Sequence, residues 1–163
     1  MRSIAIRTTL APTMKKLLSE ELIEERMLEQ YREDIEAGFE LLADKPKFGR
    51  VAGRAYVALC GAWRLSRLQA VNLMRLTDKE YERWLDEVHE GIGPVHLEKI
   101  SCLLGIYRCL MTLYSGQQHR GERWLKIANE EQPYSGNSPL DFLSGSDTSN
   151  FHLVRKDLAA KTV

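Results

Sequence analysis

A chain of 163 residues, 44% hydrophobic and 28% charged, can bury a core as one average domain or two small ones and has the composition of a soluble globular protein. Its longest apolar stretch, residues 55–63, falls far short of the ~20 residues that span a bilayer. The 23 basic and 23 acidic side chains cancel, but they are unevenly placed along the chain. Cys60, Cys102 and Cys109 are odd in number and lack C-x-x-C spacing, so they read as reduced core thiols of a cytoplasmic protein.

Residues 1–19 hold four basic side chains and no acid. That composition suits an organellar transit peptide, but a plain flexible arm is the simpler reading. Residues 18–43 carry Leu28, Tyr31, Ile35, Phe39 and Leu42 at 3-4-4-3 spacing, which is one face of a helix. Ser19 would cap its start, and Pro46 should end it near Asp44. The face can pack on the rest of the chain or on a second copy. Residues 48–63 form a second helical segment with Val51, Tyr56, Val57, Leu59 and Cys60 as its stripe.

Two capping boxes follow. Ser66-Arg67-Leu68-Gln69 pairs an N-cap hydroxyl with an N3 amide side chain, and Thr77-Asp78-Lys79-Glu80 repeats the arrangement eleven residues later. Each box satisfies two orphan donors. Two short helices at that offset, with Ala70, Leu73, Met74, Leu76, Tyr81 and Trp84 as apolar positions, match a helix-turn-helix. Its turn offers Arg75 and Leu76 where a left-handed glycine is common. Residues 95–115 repeat apolar positions at threes and fours, with Gly116 at the expected left-handed end. A short helix over 122–127 around Trp124 and a loop over 129–137 come next. A helix then opens at N-cap Ser138 and Pro139 and closes at Gly145, and a last helix runs over 150–160. Period-two β patterns are absent. The expected fold is all-α, divided into an N-terminal arm and amphipathic helix (1–45), a helix-turn-helix domain (46–94) and a helical C-terminal domain (95–163).

Motifs of bond chemistry are missing. The chain has no phosphate loop, dinucleotide fingerprint or zincin motif, and His89 and His96 straddle the turn Gly91-Ile92-Gly93. His119 and His152 have no partner in sequence. No cofactor or metal is expected, and the reading is non-enzymatic. A small all-α enzyme using a Cys or His is the rival from another class, and it needs an enclosed polar pocket near Cys102 or His96.

Charge asymmetry points instead to binding. Residues 45–77 contain seven basic side chains (Lys45, Lys47, Arg50, Arg54, Arg64, Arg67, Arg75) and no acid, whereas 78–90 hold six acids against Lys79 and Arg83. A basic surface beside a helix-turn-helix suggests a polyanion. The second helix would lie in the major groove, with Thr77, Lys79, Tyr81 and Arg83 toward it and Arg64, Arg67 and Gln69 near the backbone. Asp78, Glu80 and Glu82 work against that placement, because they repel phosphates.

Residues 103–143 carry three further motifs: Leu104-Gly105-Ile106-Tyr107 in a helix, Trp124-Leu125 running to Asn129, and Gly136-Asn137-Ser138-Pro139-Leu140 at a helix start. The pattern resembles the C-terminal toxin-binding region of the Xre-type antitoxins of bacterial type II toxin–antitoxin pairs, and the likeness covers residues 64–160. Ala128 stands where many relatives have Pro. The resemblance implies a partner toxin that attacks NAD, most commonly one with a RES domain. It implies a dimeric antitoxin that blocks the toxin's NAD pocket and represses its own operon through the helix-turn-helix. Contact residues would be Trp124, Asn129, Pro133, Tyr134, Gly136, Ser138, Pro139 and the tail near Val163. Tyr134, as the exposed aromatic of the loop, would be the anchor, while Trp124 and Leu125 can equally be core. A stand-alone transcriptional regulator without a toxin is the nearer rival.

Overall fold

The computed structural model describes residues 12–44, 49–86 and 92–163. Among the described residues the chain is all-helical, with α1 (Pro12–Asp44), α2 (Gly49–Ala62), α3 (Arg67–Met74), α4 (Asp78–Leu85), α5 (Pro94–Leu113), α6 (Gln118–Lys126), α7 (Pro139–Leu143) and α8 (Thr148–Lys161). No described helix is long and apolar enough to cross a membrane. His89, Gly91 and the arm ahead of Pro12 lie outside the described residues, as do Lys45, Pro46 and Lys47.

By internal contacts the chain divides into Met1–Gln30 and Tyr31–Val163. In the first unit α1 starts at Pro12 rather than at a Ser19 cap, and it exposes Leu22, Ile23 and Met27. In the second unit the expected α1 stripe is partly an internal packing face. Ile35 is buried, and Tyr31 lies so close to α2 that a Cβ on Gly61 would sit 2.6 Å from its ring. The side chains of Phe39 and Leu42 lie outside those described.

The segments 46–94 and 95–163 share one core. On α2 the small Ala52, Ala55, Ala58 and Ala62 are buried beside Tyr56, Leu59 and Trp63, so its neighbours can approach closely. Helix α5 is buried on nearly all sides from Lys99 to Tyr107, as a central helix should be. It packs against α2, α6 and α8. Gly105 leaves room there for Arg155, which crosses from α8: a Cβ would fall 2.6 Å from its Nε and push that side chain aside.

Three helix ends follow one pattern. Leu65, Leu76 and Gly116 each donate a backbone hydrogen bond to the carbonyl five residues earlier, at Cys60, Val71 and Met111. The residue before each, Arg64, Arg75 and Ser115, takes the left-handed conformation with φ near +50°. Glycine usually holds that place, because a side chain there costs about 1–2 kcal/mol. Leu65 and Leu76 fold back onto the core after the turn, and this apolar return drives the reversal without a glycine. Gly116, expected as the left-handed end, is left-handed as well but comes second, after Ser115.

Candidate DNA and partner surfaces

Both capping boxes form as read. Ser66 Oγ accepts from Gln69 N while Gln69 Oε1 accepts from Ser66 N, and Thr77 Oγ1 and Glu80 Oε2 make the same exchange with 3.2 and 2.7 Å bonds. Helices α3 and α4 are therefore joined by residues 75–77 alone. Tyr56 braces the pair from below: its hydroxyl donates to the Ala70 carbonyl, and its ring meets Trp84 edge-on at 5.4 Å. His96 also meets Trp84 edge-on, at 5.5 Å, and burial lowers its pKa below the ordinary 6.5.

The residues read as facing DNA fall into three groups. Lys79 and Arg83, one turn apart on α4, are exposed and enter no ion pair among the described residues. Gln69 and Thr77 are held in the caps. Tyr81 corrects the expectation: it is buried with Trp84, three residues on, because those two positions form the core face of α4. Burial pushes its hydroxyl up to about 12. Arg67 does not stand free for a phosphate either. Its Nη2 donates to Glu82 Oε1 at 2.9 Å and its Nε to Asp78 Oδ1 at 3.4 Å, with Cζ 5.8 Å from the Tyr81 ring centroid. Arg64 is exposed, and its carbonyl accepts from Lys126 Nζ of α6.

The C-terminal motif residues assemble around a closed loop. Asn129 N donates to Asn137 O, Gly136 N donates back to Asn129 O, and Asn129 Oδ1 accepts from Glu131 N. Gly136 is at φ +91°, a conformation that suits glycine. The Gln132–Pro133 peptide is cis, with Pro133 half-buried. Tyr134, expected as the exposed anchor, is fully buried. Its ring is wedged edge-on between Trp124 and Phe142, each 5.7 Å away, and its hydroxyl donates to Asp157 Oδ2 at 3.0 Å. The loop turns this aromatic inward because α7 and α8 offer it a ring, a carboxylate and an apolar floor. Ser138 caps α7 through Asp141 N and is buried along with Pro139, so neither presents a contact surface. Val163 is fully exposed.

A feature not read from the sequence lies beside this loop. Tyr114, Arg120, Arg123, Trp124, Ile127 and Asn129, together with His119 and Glu130, line an open groove of about 600 Å³. Arg120 lies over the Tyr114 ring at 4.8 Å. Arg123 and His119 make no ion pair among the described residues. The signal was available: Arg120, Arg123 and Trp124 stand at 0, 3 and 4 on one face of α6, and Ile127 follows as its C-cap. Tyr, Trp and Arg are the residue types that anchor protein interfaces.

Elsewhere the fold brings together a set the sequence kept apart. Cys102 Sγ lies 3.4 Å from His152 Nδ1, and His152 Nε2 lies 2.6 Å from Glu98 Oε1. The order thiol, imidazole, carboxylate is that of an activated nucleophile. Here the thiol is fully buried and burial pushes its pKa up, which disfavours the thiolate and leaves a substrate no path to the sulfur. Among the described residues no group of three or more His, Cys, Asp or Glu could hold a metal ion. Comparison with protein-family models, curated proteins and solved structures gave no match.

Proposed function

We propose that this chain is the antitoxin of a two-component pair: a dimeric cytoplasmic protein that binds and neutralises a NAD-consuming RES-domain toxin, blocks access to its NAD pocket, and represses its own operon through α3 and α4. The observation that supports this most is the groove. Two residues of the family-like motif line it, Trp124 from α6 and Asn129 from the closed loop, beside Arg120 and Arg123 of α6, which enter no ion pair among the described residues. Such a surface suits a protein partner that brings carboxylates and an apolar side chain. The capped pair α3–α4, with Lys79 and Arg83 exposed and in no ion pair among the described residues, supports the DNA role.

The test is co-expression with a RES-domain protein encoded beside this chain. Cells making that protein alone should lose NAD and stop growing, and the intact chain should restore both. Replacing Arg120 and Arg123 by Glu should weaken the isolated complex on the order of a hundredfold, the scale of two interface arginines, while leaving the circular dichroism melt in place. A neighbour that leaves NAD untouched, or that this chain neither binds nor silences, would sink the antitoxin reading.

A further inference from the structure

Helix α4 would be a poor recognition helix if its charges were all free. It presents Asp78, Glu80 and Glu82 against Lys79 and Arg83, and every carboxylate brought toward a phosphate opposes binding. The three acids are not free. Glu80 accepts from the Thr77 backbone N–H as half of the capping box, which holds its pKa below the usual carboxylate range. Asp78 and Glu82, one turn apart, are both taken by the single guanidinium of Arg67 through different nitrogens. Lys79 and Arg83 occupy the adjoining strip of the helix, about 100° further round, and enter no ion pair among the described residues.

We propose that Arg67 is a charge mask: by gripping Asp78 and Glu82 it screens the carboxylates of α4 from DNA phosphates, so binding depends on a residue that does not itself touch DNA. The inference rests on the DNA-binding reading above. A planar fork is needed, because one guanidinium can reach both acids through Nε and Nη2, whereas a lysine offers a single point of charge. Arg67 also starts α3, so the same contact fastens the first helix of the pair to the second.

The probe is a double-stranded DNA fragment spanning the region upstream of the gene, with affinity measured at several salt concentrations. Arg67→Ala should weaken binding by roughly tenfold, the scale of two unit charges brought about 6 Å from phosphates in water. The slope of affinity against salt should stay unchanged, since no phosphate contact is removed. Adding Asp78→Asn and Glu82→Gln to that variant should restore wild-type affinity, whereas the same two changes beside an intact Arg67 should gain little. Arg67→Lys should fall between. A slope lowered by about 1 in Arg67→Ala, with no rescue by the amides, would make Arg67 a phosphate contact and overturn the mask. Unchanged affinity in Arg67→Ala would overturn it too. A wild-type chain that binds neither this fragment nor unrelated DNA would instead remove the DNA-binding reading, and the mask with it.

Discussion

The two regions that carry candidate surfaces are stabilised by different physics. In the α3–α4 pair, much of the definition is local and polar: Ser66 with Gln69, Thr77 with Glu80, and Arg67 across to Asp78 and Glu82. In the loop-bearing half, definition comes from burial: Tyr134 between Trp124 and Phe142, Asp157 on its hydroxyl, and Leu158 in the core. Exposed polar bonds contribute little each and respond to salt and pH. A buried aromatic wedge contributes several kcal/mol and responds to neither. The first region thus adds small, separable polar contributions to its buried face of Leu73, Met74 and Trp84, whereas the second rests mainly on burial.

That contrast can be broken most directly at Tyr134. Tyr134→Ala should cost about 3–5 kcal/mol in urea unfolding, as truncation of a buried aromatic does, and Tyr134→Phe only about 1–2 kcal/mol, for the lost bond to Asp157. Ending the chain before Lys156 should be as damaging, because it removes Leu158 and Asp157, whereas removing the exposed Val163 alone should leave the melt in place. If Tyr134→Ala melts like wild type, the loop is not held by its aromatic wedge and the contrast fails.

Next in size come the caps. Ser66→Ala and Thr77→Ala should each cost about 1 kcal/mol. The two should add within error, since they close different helices. Strong non-additivity in a double variant would show that α3 and α4 form as one unit and not as two local ones.

The smallest effect is a pH dependence at His96. Its folded pKa lies below the ordinary 6.5 because it is buried against Trp84, with Glu80 partly opposing the shift and Lys99 adding to it. Between that folded value and 6.5 the unfolded chain binds more protons, so stability is full above pH 6.5 and falls as pH drops through the folded pKa. His96→Phe should remove this component, leaving the urea midpoint flatter between pH 7 and pH 5. A variant as pH-sensitive as wild type would place the acid sensitivity elsewhere. Glu80 is one candidate, whose lowered pKa acts in the same direction at more acid pH.

Most of the elements were legible in the sequence. An apolar stripe marked α2, apolar residues at threes and fours marked α5, and the two capping boxes marked the starts of α3 and α4 to the residue. A Tyr in a loop is locally indistinguishable from a surface Tyr, and Tyr134 finds its carboxylate 23 residues on, at Asp157, whereas the burial of Tyr81 follows from its place three residues before Trp84 on the apolar face of α4. The run 45–77 contains no acid and so points Arg67 toward a phosphate, but its partners Asp78 and Glu82 lie just beyond that run. Cys102 and His152, fifty residues apart, left no trace of their meeting.

By itself, then, the sequence determined what short-range rules decide: helical type, the capped starts, the three-residue turn between α3 and α4, and Gly136 in the loop. These depend on bonds between residues three or four apart, which one chain segment can satisfy alone. Tertiary structure decided which faces remain for a partner. It drew Tyr134 inward, tied Arg67 to two carboxylates, let Arg64, Arg75 and Ser115 turn left-handed, and gathered Tyr114, Arg120, Trp124 and Asn129 around one groove. Exposure depends on what the rest of the chain packs against a side chain, and no local pattern encodes it.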